Sequence, residues 1–117
     1  MTFEAFDVVV VPFPFTDRST TKRRPALVLS DAHNYNKKVG QSVLAMITSA
    51  QHSDWPLDIE IGNLVAAGLP ASSVVRMKLF TLDNQLVLRK AGALGNDDQE
   101  SVSRALRQLF GLDNSHP

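Results

Sequence analysis

The chain has no cysteine among its 117 residues. Disulfide bonds, thiol catalysis and cysteine-ligated metal centres are therefore excluded. No apolar run approaches the roughly 18 residues that a membrane-spanning helix needs. Glu4 and Asp7 interrupt the start of the chain, so the sequence does not predict a secretory signal segment. We therefore expect a cytoplasmic protein.

An excess of either charge is also absent, because 12 basic residues balance 12 acidic ones. Any surface that binds a nucleic acid must therefore be a local basic patch. Such a patch is possible because basic residues crowd the first third of the chain: Arg18, Lys22, Arg23, Arg24, Lys37 and Lys38. The length and the 44% hydrophobic content predict a single globular domain spanning residues 1–117.

The hydrophobic pattern predicts six or seven short strands. They cover residues 7–15, 25–30, 41–48, 57–61, 73–81 and 85–89, and the last two are predicted to form a hairpin through a turn at Asp83 and Asn84. Pro12 and Pro14 lack a backbone donor, so the second half of the first strand is expected to lie at a sheet edge or to leave the sheet. Short strands at this spacing favour a small β-barrel or a strongly bent sheet.

The C-terminal segment 97–110 predicts an amphipathic helix that covers part of this sheet. Its apolar stripe comprises Val102, Ala105, Leu106, Leu109 and Phe110. We expect Asn96 to cap the helix and Gly111 to end it. The stripe is predicted to pack into the core or to support a dimer, with the Phe110 ring buried.

The remaining segments predict connections. Residues 16–22 and 50–56 are polar and predict loops, and residues 62–70 predict a short connector. Residues 31–38 predict one helical turn with Asp31 as its cap.

Two segments place polar side chains at strand ends. Residues 22–30 (KRRPALVLS) begin a strand with two arginines, and residues 44–49 (LAMITS) end another with two hydroxyls, Thr48 and Ser49. If these strands are neighbours, a guanidinium and a hydroxyl converge, which suits a phosphate group. Because side chains alternate along a strand, Arg23 and Arg24 are expected on opposite faces, as are Thr48 and Ser49.

Three ordered segments resemble the MazF/PemK-like toxins, the ribonucleases of bacterial toxin–antitoxin pairs. They are DVVVVPFPFTDRSTTKRRPALVLS, LAMITS and GLPASSVVRMKLFTLDNQLVLRKAGAL, and the likeness runs from about Phe6 to Leu112. The resemblance implies a mainly β (α+β) fold, an SH3-like small β-barrel with a C-terminal α-helix, assembled as a homodimer. It implies metal-independent, sequence-selective cleavage of single-stranded RNA without a cofactor. The implied products are a 2′,3′-cyclic phosphate and a 5′-hydroxyl.

The resemblance also assigns two catalytic positions and a partner. The family's Arg-Pro arginine corresponds to Arg24, and its strand-end threonine corresponds to Thr48. A cognate antitoxin is expected to occupy the RNA groove. One position departs from the family, because Lys78 stands where some members carry an acid. The general base is therefore unassigned.

Further residues are candidates for substrate binding. Asp17 and Arg18 are candidates to contact RNA from the first loop. Arg23, on the opposite strand face, is expected either to face solvent or to position a phosphate. Ser49 also points away from the site, but it would take the place of Thr48 if the strand ends at Thr48. His52 is a candidate for proton transfer, or else a solvated loop histidine.

Three more candidates have two interpretations each. Trp55 either stacks on an RNA base or packs locally with Pro56. Arg76 and Lys78 alternate on one strand, so they either line a basic groove or form an ordinary solvated face.

Two other functions fit the same pattern. The barrel could be a catalytically inactive RNA- or protein-binding module, because this architecture supports many functions. It could also be a toxin that inhibits a protein target such as a topoisomerase.

Overall fold

The computed structural model describes residues 2–13, 22–52 and 54–112, except the side chain of His52. The strands are β1 (Asp7–Phe13), β2 (Lys22–Val28), β3 (Gln41–Ser49), β4 (Ile59–Glu60), β5 (Ser73–Asp83) and β6 (Arg89–Ala93). The helices are α1 (Lys37–Val39), α2 (Leu64–Ala67) and α3 (Asn96–Leu109), and a π-helical turn (Ala32–Asn36) precedes α1. Within the described residues, no helix is long and apolar enough to cross a membrane.

The six strands form one antiparallel sheet in the order β4-β5-β3-β2-β1-β6, which curls into a half-barrel. The expected mainly β fold with a C-terminal helix is confirmed. The pairing of β1 with β6 stops at Val10, so Pro12 pairs on one side only, with Arg23 of β2. The first strand therefore ends at a local edge, as its prolines predict.

The sheet has apolar residues on both faces, because neighbouring strand residues point to opposite sides. Val8, Leu27 and Ile47 pack with Val102 of α3 on one face, called here the helix face. Val9, Val11 and Ala26 form a second cluster with Phe3 and Leu44 on the other face, called here the outer face. The helix therefore covers one face and leaves part of the outer face open.

The predicted hairpin between residues 73–81 and 85–89 is wrong. The last strand is β6, which pairs with β1 on the far side of the sheet. Asp83 accepts a hydrogen bond from the Gln85 backbone at 2.9 Å and starts a 3₁₀ turn, Asn84–Leu86. This turn directs the chain away from β5. The predicted turn is therefore correct, but the predicted pairing of the next strand with β5 is wrong.

The helix α3 begins one residue earlier than predicted and ends with an exposed ring. Gly95 is the N-terminal cap residue, so Asn96 lies within the helix. Val102 is fully buried, but Phe110 is 59% exposed, which contradicts its predicted core position. Phe110 is the C-terminal cap residue and lies beyond the last residue of α3, Leu109. Gly111 ends the helix with φ +68°, as expected.

Other boundaries also differ from the sequence prediction. The second strand begins at Lys22 rather than Pro25, because β1 supplies partners for residues 22–24. The strand predicted at 57–61 shortens to β4, and the connector 62–70 contains α2. The helical turn after Asp31 is confirmed, since Asp31 accepts a hydrogen bond from the Asn34 backbone at 2.7 Å.

A buried polar network joins the N-terminal segment to the sheet. Asn36 is fully buried, and its amide donates to the Phe3 and Ser30 carbonyl oxygens at 2.9 and 3.0 Å. Its carbonyl oxygen accepts a hydrogen bond from the Ser30 hydroxyl. Asn84 donates to the Asn36 backbone oxygen at 3.1 Å and accepts from Ser42 at 2.6 Å.

We expect Asn36→Ala to lower the free energy of unfolding by about 2–4 kcal/mol, because two carbonyl groups and one hydroxyl lose their partner. Urea unfolding of Asn36→Ala measures this cost. The control is Asn34→Ala, which changes an exposed residue of the same turn. Equal unfolding midpoints for the two variants would show that the network contributes nothing specific.

Candidate functional site

Arg24 and Thr48 lie on the same face of neighbouring strands. Ala26 of β2 pairs with Met46 of β3 in antiparallel register. Continuing that register by two residues aligns Arg24 with Thr48, beyond the last pair of the ladder. Both residues are an even number of positions from the paired residues, so both belong to the outer face. Arg24 is exposed and Thr48 is half-buried.

Arg76 and Lys78 extend the same face on β5. Met46 pairs with Arg76, and Thr48 pairs with Val74. The register shifts between Ala45 and Met46, so β5 contains two extra residues there, and Lys78 is one of them. A shift of two residues preserves the alternation of side chains, so Lys78 stays on the outer face with Arg76.

We call this region the basic surface: Arg24, Thr48, Trp55, Arg76 and Lys78. Three strands and the loop after β3 contribute to it. It combines three cations, a hydroxyl and an indole ring. Phosphate oxygens bind cations and hydroxyl groups, and unpaired bases stack on an indole ring.

Asp58 fixes the position of Arg76. The Arg76 Nε donates to Asp58 Oδ1 at 3.2 Å, and Arg76 Nη2 donates to Asp58 Oδ2 at 2.9 Å. The Asp58 side chain is 6% exposed and that of Arg76 is 16% exposed. The hydrogen bond with Asp58 raises the pKa of Arg76 above the usual arginine value. A bidentate pair also restricts the orientation of the guanidinium plane.

Trp55 packs against both cations of β5. The Arg76 Cζ lies 5.5 Å from the centre of the indole ring, and the Lys78 Nζ lies 5.4 Å from it. Both distances are within the range of cation–π contacts. Trp55 is nevertheless 41% exposed. The ring therefore packs against neighbouring cations and still keeps an accessible surface, and its stacking on an RNA base stays a prediction.

Arg23 and Ser49 lie on the helix face, away from Arg24 and Thr48. Arg23 pairs with Pro12, and Ser49 pairs with Ser73. The Ser49 hydroxyl accepts a hydrogen bond from the Gln51 backbone at 3.3 Å, so it stabilises the turn after β3. The structure therefore does not bring Ser49 to the basic surface.

Three sequence candidates cannot be placed. Asp17 and Arg18 lie outside the described residues, and His52 is described only by its backbone, in the 3₁₀ turn Ala50–His52. Their predicted roles stay predictions.

Asp58 is the residue of this region that sequence reasoning missed. The alternating segment 57–61 predicts a solvated acidic face for Asp58 and Glu60. Glu60 is exposed as expected, whereas the Asp58 side chain is buried in its salt bridge with Arg76. Ile59 pairs with Val75, which aligns Asp58 with Arg76, and this pairing of distant segments leaves no local signal in the sequence.

Comparisons with known proteins agree with this fold. The family model described as PemK-like, MazF-like toxin of type II toxin–antitoxin system matches residues 4–110. No curated protein sequence matches the chain.

Solved structures resemble the chain over nearly its whole length. MazE-MazF (Form-III) from Deinococcus radiodurans is 24% identical with a TM-score of 0.76, covering 95% of this chain and 98% of that one. MazF (Form-I) from the same organism is 25% identical, with a TM-score of 0.72 and coverage of 95% and 98%.

A mycobacterial endoribonuclease in complex with its cognate antitoxin is 15% identical, with a TM-score of 0.73 and 96% coverage of each chain. At such identities the structures establish a shared fold. The family model spans most of the sequence and includes every strand and the whole of α3. The chain therefore belongs to the PemK-like, MazF-like toxins of type II toxin–antitoxin systems.

Proposed function

We propose that this protein is an endoribonuclease that cleaves single-stranded RNA in a sequence-selective manner without a metal ion. The observation that carries the proposal is the alignment of Arg24 with Thr48 on the outer face, beside Arg76 of β5. A guanidinium, a hydroxyl and further cations on one surface can bind a phosphodiester and stabilise added negative charge at phosphorus.

The proposed reaction uses the RNA's own 2′-hydroxyl. That oxygen loses its proton and attacks the adjacent phosphorus, and the bond to the 5′-oxygen of the next nucleotide breaks. The products are a 2′,3′-cyclic phosphate and a 5′-hydroxyl, which takes up a proton. Arg24 would donate two hydrogen bonds to the phosphate oxygens, and Thr48 would donate one or orient the attacking hydroxyl.

The general base is not assigned to any residue of the basic surface. Lys78 carries a positive charge and cannot accept a proton in that state. Asp58 uses both oxygens to hold Arg76, so we assign it a positioning role. Charge stabilisation by Arg24 would then supply the larger part of the rate enhancement.

Substrate binding is proposed for the rest of the basic surface. Trp55 offers an exposed ring on which an unpaired base can stack, and Arg76 and Lys78 lie within reach of the phosphates on either side. Asp17, Arg18 and His52 are proposed as additional RNA contacts from the sequence segments that precede β2 and follow β3.

Two protein partners follow from membership of the family. We propose that the chain forms a homodimer and that a cognate antitoxin covers the basic surface and blocks RNA. The solved relatives include a MazE-MazF structure and an endoribonuclease bound to its cognate antitoxin, which supports this assignment.

The requirement for a 2′-hydroxyl tests the proposed chemistry. An RNA oligonucleotide that the protein cuts should resist cleavage after a single 2′-deoxy substitution on the 5′ side of the scissile phosphate. The same substitution two nucleotides away is the control and should leave the rate nearly unchanged. Cleavage of the substituted bond at the original rate would contradict attack by the RNA's own hydroxyl.

We expect Asp58→Ala to raise KM for RNA about tenfold with a smaller effect on kcat, because Arg76 loses its restraint. The direction of the change in KM is informative, because removal of a negative charge should by itself strengthen RNA binding and lower KM. Glu60→Ala removes an exposed carboxylate two residues away and is the matched control.

Steady-state cleavage by both variants, with a circular dichroism spectrum to confirm folding, measures this effect. Glu60→Ala should leave KM unchanged or lower it slightly, because it removes only a negative charge. The same result for Asp58→Ala would show that Asp58 does not position Arg76 for RNA binding.

A further inference from the structure

A second cationic pocket lies beside the basic surface. Its volume is about 230 Å³, and its lining includes Arg23 of β2 and Arg89 of β6. Arg24 of the basic surface also borders this pocket, so an RNA strand would reach the pocket by passing around the end of β2 to the helix face. We call it the Arg23–Arg89 pocket.

The two arginines of this pocket share the helix face near the end of β1. Arg23 pairs with Pro12, and Arg89 pairs with Val10, two residues earlier on the same strand. Both arginines are exposed. Within residues 2–13, 22–52 and 54–112, neither forms a salt bridge, whereas Arg76 and Lys90 do. Among the described residues, no carboxylate forms a salt bridge with either guanidinium group of the pocket.

The rest of the pocket is apolar and firmly built. Pro25, Leu69 and Pro70 contribute to its lining. The segment that holds Leu69 and Pro70 is pressed against β6 at Gly68, where an added Cβ would lie 2.1 Å from the Ala91 oxygen. This close backbone approach holds the apolar wall of the pocket against β6.

We propose that the Arg23–Arg89 pocket binds a nucleotide of the RNA strand that leaves the basic surface. The phosphate would lie between the two guanidinium groups, and the base or ribose would cover Pro25 and Leu69. This inference rests on the proposed function, because it extends the same RNA path past Arg24. A nucleotide fits better than an acidic peptide, since a carboxylate side chain offers no flat apolar group for the floor of the pocket.

Arg89→Ala tests the pocket, with Arg107→Ala on the exposed surface of α3 as the matched loss of one arginine. Anisotropy of a labelled single-stranded RNA at several salt concentrations is measured for both variants. We expect Arg89→Ala to weaken binding about tenfold and to lower the slope of log affinity against log salt by about 0.7, the loss of one phosphate contact. Arg107→Ala should match the unmodified protein in both quantities.

A second measurement separates this proposal from the nuclease activity. Adenosine 5′-monophosphate is titrated into the protein while the Arg Nε–H signals are followed by NMR. Shifts of the Arg23 and Arg89 signals in the unmodified protein, with loss of the Arg23 shift in Arg89→Ala, support the pocket even if the protein cuts no RNA. Unchanged RNA affinity and salt slope in Arg89→Ala would overturn the proposal, as would loss of affinity only for an acidic peptide.

Discussion

Arg24→Ala should lower the rate of RNA cleavage by at least about a hundredfold to a thousandfold, the effect of removing one donor that stabilises transition-state charge. Arg24 is exposed, and its side chain forms no hydrogen bond or salt bridge with the residues that the structure describes. Its removal should therefore leave the fold intact. Single-turnover cleavage of a defined RNA by both proteins measures the change.

Two further variants sharpen this prediction. Arg24→Lys retains the charge but loses the planar pair of donors, so it should recover only part of the rate. Arg107→Ala removes an exposed arginine from α3 and should cleave at the original rate. Cleavage by Arg24→Ala at the original rate would show that Arg24 takes no part in the reaction. The basic surface would then serve only to bind RNA.

Gly68→Ala should lower the free energy of unfolding by about 3 kcal/mol or more. Two costs combine: Gly68 has a φ of +72°, and an added Cβ would lie 2.1 Å from the Ala91 backbone oxygen. The left-handed conformation costs about 1–2 kcal/mol for an alanine. The overlap cannot be relieved by a rotamer change because the opposing atom belongs to the backbone of β6.

Gly40→Ala separates the two costs. Gly40 has nearly the same conformation, φ +75°, but its added Cβ would meet nothing within 4 Å. Its cost should therefore be the conformational part alone, about 1–2 kcal/mol. Chemical unfolding of both variants gives the difference. Equal losses would show that the close approach of Gly68 to β6 contributes nothing to stability.

Local patterns predicted much of the fold. The β-branched run at the start of β1, the cap at Asp31 and the stop at Gly111 each depend on neighbouring residues, and each is confirmed. The prediction for β6 was wrong because the strand that pairs with β6 is distant in sequence from the turn at Asn84. A turn signal is compatible with a hairpin, but here the buried network around Asn36 and Asn84 directs the chain elsewhere.

The candidate site divides in the same way. The sequence resemblance named Arg24 and Thr48, and strand alternation correctly separated them from Arg23 and Ser49. The pairing of Asp58 with Arg76 and the approach of Arg89 to Arg23 both require the register of separate strands. No local pattern in the sequence encodes those contacts.

The most direct test of the central claim is incubation of the purified protein with mixed-sequence single-stranded RNA in excess EDTA, followed by mapping of the fragment ends. We predict fragments with 5′-hydroxyl and cyclic phosphate ends at a recurring short motif, and their absence with Arg24→Ala. Intact RNA, from a protein that is folded and still binds RNA in a gel shift, would contradict the nuclease assignment and leave a binding module. Intact RNA without binding would instead point to a protein target.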